Sequence, residues 1–86
     1  MRLEFKSQAF EDLQYWVQTN PKLAKRVLRL IEETRRDPYG GTGKPEPLRG
    51  DLIGWWSKRI DQEHRLIYQV SGDCLVIAQA RGHYDD

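Results

Sequence analysis

The hydrophobic period of this chain changes at Asp37-Pro38, and that change decides the fold class. Ahead of it, apolar residues recur mainly at helical spacing; behind it they alternate. The first residues are the exception. Arg2 to Lys6 alternates, with Leu3 and Phe5 on one side, and reads as a short strand. Ser7 is expected to cap a helix whose stripe is Phe10, Leu13, Trp16 and Val17. Asn20-Pro21 restarts the chain, because Asn is a good N-cap and Pro is favoured at the first helical position. Leu23, Val27, Leu30, Ile31 and Thr34 form the stripe of a second helix, which Asp37-Pro38 ends.

Tyr39 to Pro47 reads as loop. Its glycines lack the spacing and the following helix of a phosphate cradle, so they are read as a flexible connection. Leu48 begins an extended segment that Gly50-Asp51 turns. Trp55 to Asp61, His64 to Val70 and Cys74 to Ala80 are successive strands, the last two joined by the hairpin signal Ser71-Gly72-Asp73. The expected class is α+β, in the order β-α-α-β-β-β with a further short strand. Two N-terminal helices pack on one face of a mostly antiparallel sheet. The 86 residues fit one domain, 1–86, and leave no room for two.

Period two also predicts sidedness. Leu66, Tyr68 and Val70 take the core side, and Arg65, Ile67 and Gln69 the other. Arg59 points opposite to Lys58 and Ile60. Gln79, Arg81 and His83 share a side, with Ala78 and Ala80 on the other. Several cations are thus expected on the sheet face that the helices leave available.

The net charge of +1 does not by itself announce a nucleic-acid binder. Lys22, Lys25, Arg26, Arg29, Arg35 and Arg36 do cluster along one stretch, which reads first as a solvated helix face. The N-terminus lacks a signal peptide's apolar run, and no segment approaches a membrane span. A single cysteine, Cys74, fits a reducing cytoplasm and is read as a small core residue.

Three places carry possible chemistry. Glu46 stands between Pro45 and Pro47, which stiffen its backbone; it reads either as an ordinary surface acid or as a positioned one. Arg65 lies mid-strand in an uncharged run, as a snorkelling surface residue or a phosphate clamp. His83-Tyr84 closes the last strand, with Tyr84 a rim aromatic or a stacking platform. Together these types match RNA scission through its own 2′-hydroxyl, which needs a base, an acid and cations for the growing phosphate charge. No cofactor is implied, and no clustered Cys/His/Asp spacing argues for a metal.

The segments Gly43-Lys44-Pro45-Glu46-Pro47-Leu48, Trp56-Ser57-Lys58-Arg59-Ile60, Glu63-His64-Arg65-Leu66-Ile67-Tyr68 and Ala80-Arg81-Gly82-His83-Tyr84 resemble the YoeB branch of the RelE/ParE toxin superfamily. Tyr15-Trp16 and Thr34-Arg35-Arg36-Asp37-Pro38 add to the resemblance, which covers essentially the whole chain. It implies a RelE-like, microbial RNase-like fold and a cytoplasmic toxin of a type II toxin–antitoxin system. Such a toxin enters the A site of the 70S ribosome and cuts mRNA there. It is neutralised by a YefM-type antitoxin of the Phd family, the complex represses its own operon, and the toxin is commonly a homodimer.

Carried over by motif, the resemblance makes Glu46 the general base, His83 the general acid and Arg65 the transition-state cation, with Tyr84 holding the substrate. Arg49, Arg59, Lys44 and Arg81 become candidate RNA contacts. Two features depart from the family pattern. Gly82 stands where an aromatic residue is usual, which is expected to loosen the terminal segment, and Asp85-Asp86 extends past Tyr84. A ParE-like gyrase inhibitor and a non-catalytic RNA-binding module are the alternative readings of the same fold. Neither uses Glu46, Arg65 and His83 together.

Overall fold

The computed structural model describes residues 1–82; the expected roles of His83 and Tyr84 fall outside them. Strand β1 (Arg2–Phe5) leads into helices α1 (Ser7–Thr19) and α2 (Pro21–Arg36). Four strands follow: β2 (Glu46–Pro47), β3 (Trp56–Arg59), β4 (Arg65–Ser71) and β5 (Cys74–Gln79). The sheet order is β1-β5-β4-β3-β2. Among the described residues only the β1–β5 pair is parallel, so the sheet is mostly antiparallel, as the alternation predicts.

Asn20 makes the helical corner in two ways. Its amide closes α1 on the Trp16 carbonyl, and its side chain accepts from the Leu23 amide at 3.2 Å to cap α2. The expected stripe of α2 is buried at Val27, Leu30, Ile31 and Thr34, with Ala24 added. The N-cap of α1 is Lys6 rather than Ser7, and no side chain caps it.

The stripe of α1 is turned from the expected one. Phe10 and Val17 are more than half exposed, while Ala9 and Asp12 are buried beside Trp16. Two polar bonds explain the rotation. The Ala80 amide donates to Asp12 Oδ2 at 2.9 Å, and Trp16 Nε1 donates to the Ala80 carbonyl at 2.8 Å. A buried backbone needs both partners, so these bonds turn residues 12 and 16 inward and leave 10 and 17 outside.

The extended segment expected from Leu48 begins earlier, at Glu46. Pro45 and Pro47 bring no amide hydrogens, so β2 stays a two-residue edge strand, where proline is tolerated. Leu48 is buried and its amide reaches the Trp55 carbonyl. A short 3-10 turn, Gly50–Leu52, follows.

The sheet carries one register shift: Ile67 opposes Gln79, while Tyr68 opposes Ile77. The extra β5 residue is Ala78. This bulge puts Gln79 on the face of Ile67, where simple alternation from core-facing Leu75 and Ile77 would have buried it. The face away from the helices is not bare, since Ser57, Ile67 and Val76 on it are buried.

Candidate active site and its supports

The register aligns the candidate residues. Glu46 pairs with Ser57, Ser57 with Ile67 and Ile67 with Gln79. Directly opposed residues of antiparallel strands share a face. Glu46 therefore lies on the face away from the helices, in one row with Ser57, Ile67 and Gln79. The next row on that face is Arg59 opposite Arg65. Lys58 and Leu66, paired between these rows, point into the core. The sidedness expected for Arg59 and Arg65 holds.

Arg65 is half-buried and held at one end. Its Nη1 donates to the carbonyls of Asp61 at 2.9 Å and His64 at 3.1 Å. Asp61 in turn shapes that turn, with Oδ1 accepting from the amides of Glu63 and His64. Burial pushes the Asp61 carboxyl up, but the amide donors of His64 and Glu63, with the charge of Arg26 nearby, hold it below its usual range.

The loop that delivers Glu46 is pinned at several points. Gly43 accepts from the Arg59 amide, and a Cβ on Gly43 would lie 3.0 Å from Lys58 Cβ and 3.1 Å from the Arg59 carbonyl. Gly43 also has φ +92, so only glycine fits this approach without strain. Farther back, Thr42 donates from its amide and its hydroxyl to Glu33 Oε1. Those bonds, the backbone one foremost, hold the Glu33 carboxyl below its usual range. Lys58 is fully buried and reaches the Asp37 carbonyl at 3.3 Å. Its burial lowers the amine's pKa, against the pull of Glu33 and Asp37. The Tyr68 hydroxyl donates to the Pro38 carbonyl, and burial pushes that phenol up.

A second set of bonds holds the chain just ahead of His83. Besides the Asp12 and Trp16 bonds to Ala80, the Gly82 amide donates to His64 Nδ1 at 2.8 Å, and the Gly82 carbonyl accepts from the Arg65 amide at 2.7 Å. The His64 ring packs edgewise on Trp16, with centroids 4.7 Å apart. Gly82 has φ +81, a conformation that side chains rarely adopt. Gly82 itself is tied at its amide and its carbonyl; the loosening expected of the terminal segment falls on residues outside those described.

The remaining candidates are placed less uniformly. Lys44 is exposed with φ +50, two residues before Glu46. Arg49 is exposed at the start of the 3-10 turn. Arg81 does not continue the alternation with Gln79, because the strand ends at Gln79. Its guanidinium lies 3.6 Å from the centre of the Tyr15 ring on α1.

Asp12, Trp16, Lys58 and His64 support the site, and sequence reasoning gave them no such role. Asp12 had a signal, an acid in helical phase with Ala9 and Trp16. His64 had only its place in the Glu63-His64-Arg65 motif.

A model of the YoeB-like toxins of bacterial type II toxin–antitoxin systems matches residues 5–84. Toxin YoeB of Streptomyces coelicolor is 54% identical over 84 residues, covering 98% of this chain and 100% of the relative. The YoeB/ParE toxin from Agrobacterium tumefaciens superposes with a TM-score of 0.94 at 41% identity, over 98% of this chain and 100% of that one. In the YoeB–YefM complex from Staphylococcus aureus, the matching chain is 40% identical with a TM-score of 0.88, over 98% of each chain. YoeB from the same organism is also found as a dimer, 39% identical with a TM-score of 0.89, again over 98% of each chain.

Proposed function

The chain belongs to the YoeB-like toxins of bacterial type II toxin–antitoxin systems, and from that premise we propose that it is a ribosome-dependent endoribonuclease. It cuts mRNA in the ribosomal A site by acid–base chemistry that calls for no metal. The observation that supports this reading is the strand register, which sets Glu46 one row from Arg59 and Arg65, beside the tied segment that leads into His83.

In the proposed reaction, Glu46 takes the proton of the RNA 2′-hydroxyl. The freed 2′-oxygen attacks the adjacent phosphorus, and the bond from phosphorus to the 5′-oxygen breaks. His83 gives its proton to that leaving oxygen. Arg65 opposes the negative charge that grows on the phosphate, with Arg59 beside it. Tyr84 stacks on a base, while Lys44, Arg49 and Arg81 hold the strand. The products carry a 2′,3′-cyclic phosphate and a 5′-hydroxyl.

The same reading gives the chain a YefM/Phd-type antitoxin, a homodimeric state, a cytoplasmic site of action and repression of its own operon by the toxin–antitoxin complex. The Staphylococcus aureus complex and dimer support the first two by likeness.

Programmed 70S ribosomes test the reaction. The purified chain should cut bound mRNA in the presence of a chelator, and a 2′-deoxy or 2′-O-methyl sugar at the cut position should bind and survive. Cleavage of the substituted mRNA, or products with 5′-phosphates, would exclude attack by the 2′-oxygen. Intact mRNA with double-strand DNA breaks in cells expressing the chain would favour a gyrase inhibitor.

A further inference from the structure

The face away from the helices has an apolar floor of its own. Leu48, Ile67 and Val76 are buried, yet they stand outside the core that the helices cover. Trp56 packs against that core, while Trp55, its neighbour in extended chain, points to the opposite face. The Leu48 amide donates to the Trp55 carbonyl, so the β2–β3 ladder runs one pair beyond Pro47 and Trp56. Trp55 therefore shares the face of Glu46 and Ser57. From the end of β1, the Lys6 ammonium stands 5.4 Å from the centre of the Trp55 ring. In the sheet order β5 and β4 lie between their strands, so the two side chains meet over the strands that hold Val76 and Ile67.

This sets a partly exposed aromatic ring one row from the candidate general base. Trp55 is two residues from Ser57, about 7 Å along the strand. It lies on the side of the Glu46 row away from Arg59 and Arg65. The arginine row is also where the chain enters His83, since the Arg65 amide donates to the carbonyl of Gly82. The order across the face is Trp55, then Glu46, then the two arginines with the segment that leads into His83.

The proposed reaction gives that order a direction. Glu46 takes its proton from the nucleoside on the 5′ side of the cut, and the oxygen leaving on the 3′ side is served from the His83 end. The 5′ nucleoside is then the one toward Trp55. We propose that Trp55 is the stacking platform for the base of the nucleoside whose 2′-hydroxyl attacks, with Lys6 on the phosphate 5′ of that nucleoside. The proposal rests on the nuclease reading for the direction of the strand. An exposed ammonium holds an aromatic ring more weakly than a stacked base does, so the base displaces Lys6 from the ring. Lys6 is exposed, and its displaced charge is left beside the strand that it then contacts. The acid on the same edge, Glu4, lies opposite Val76, one step farther from the Glu46 row than Lys6. Stacking fixes the ribose as well as the phosphate, which turns the 2′-hydroxyl toward Glu46.

Single-turnover cleavage on saturating programmed 70S ribosomes tests this. The mRNA carries an abasic ribose at the nucleoside 5′ of the cut or at the one 3′ of it. The parent is compared with Trp55→Leu, Trp55→Phe and Lys6→Gln, and circular dichroism checks that each folds. Leucine still covers the apolar floor but offers no ring to stack on. Trp55→Leu should cut intact mRNA about five- to a hundredfold more slowly, the loss of one stacked base. Trp55→Phe should recover most of that rate. The 5′ abasic ribose should slow the parent by a similar factor and slow Trp55→Leu no further. The 3′ abasic ribose should slow both by equal factors. Lys6→Gln should be about two- to fivefold slower, and the difference should narrow as KCl rises.

If the 5′ abasic ribose slowed the parent and Trp55→Leu by the same factor, the platform would be overturned and the nuclease reading would stand. If only the 3′ abasic ribose lost its effect in Trp55→Leu, the strand would run the other way and the proposal would fall. A parent that cut no mRNA would sink the nuclease reading, and the platform would then be judged by binding. A short single-stranded RNA should quench tryptophan fluorescence in the parent and less in Trp55→Phe; equal quenching in the two would overturn it.

Discussion

His64 Nδ1 accepts the amide hydrogen of Gly82 at 2.8 Å, joining the β3–β4 turn to the residue immediately before His83. The bond requires a lone pair on Nδ1, so a proton there would replace attraction with two opposed donors. Removing the acceptor leaves a part-buried amide unpaired, which costs about 1–3 kcal/mol at that point. His64→Leu is expected to lower kcat on programmed ribosomes about ten- to a hundredfold, with little change in KM. His64→Asn offers its side-chain oxygen near the position of Nδ1 and should recover most of that loss. Equal activity of the leucine variant and the parent would show that the bond does not position the acid.

The Glu33–Thr42 bonds give the loop ahead of Glu46 an acid-sensitive anchor. Glu33 titrates below its ordinary 4.5 in the folded chain. The unfolded chain therefore takes up this proton first as pH falls. The stabilisation is complete above the unfolded value and is lost as pH drops through the folded one. Glu33→Ala should remove that part of the acid sensitivity, making Tm against pH flatter below about pH 4.5. The check is thermal melting of both proteins across the acid range; parallel curves would show that the anchor contributes nothing.

Lys58 puts a full amine inside the core. Burial is the largest influence on it and lowers its pKa, so desolvation outweighs the attraction of Glu33 and Asp37. Because the unfolded lysine holds its proton to higher pH, the penalty is complete below the folded value and relieved as pH rises through it. Lys58→Met keeps the volume and removes the charge. It is expected to leave stability unchanged or raise it by up to about 2 kcal/mol, while Lys58→Ala should lose about 2–4 kcal/mol through the cavity. Denaturant unfolding of the pair separates the effects. A strongly destabilised methionine variant would show that the bond to the Asp37 carbonyl outweighs the cost of burying the charge.

The residues explain how much of this was legible. Asn20-Pro21 and Asp37-Pro38 bound α2 in the structure because capping and proline geometry are local. Alternation placed Arg59 and Arg65 on the face away from the helices, because period two survives wherever a ladder is regular. Where the ladder breaks, the reading broke. The bulge at Ala78 and the end of β5 at Gln79 send Arg81 to Tyr15. The rotation of α1 was hidden because it depends on Ala80, 64 residues beyond Trp16, and a hydrophobic stripe carries no record of a distant carbonyl. His64 was hidden for the same reason, its partner being 18 residues on.

Arg65 offers the sharpest test of the candidate face. Its Nη1 is committed to two carbonyls of the turn, so the guanidinium is fixed before any phosphate arrives, and the proposed contact uses its Nη2 edge. Fixed charge of this kind stabilises a transition state without further reorganisation, and its loss is worth about 2.7–4 kcal/mol, or roughly a hundred- to a thousandfold in rate. Arg65→Ala is therefore expected to lower kcat by that factor while costing only about 1–2 kcal/mol of stability from the two lost bonds. Arg65→Lys keeps the charge but cannot hold both carbonyls and a phosphate with one ammonium in the same geometry, so it should regain only part of the rate. Single-turnover cleavage and denaturant melts measured on the same preparations make the comparison. If Arg65→Ala cut mRNA at the parent's rate, the residue would be a clasp for the Asp61–His64 turn and nothing more. If the lysine variant matched the parent, charge alone would be sufficient and the orienting role of the two carbonyls would fall.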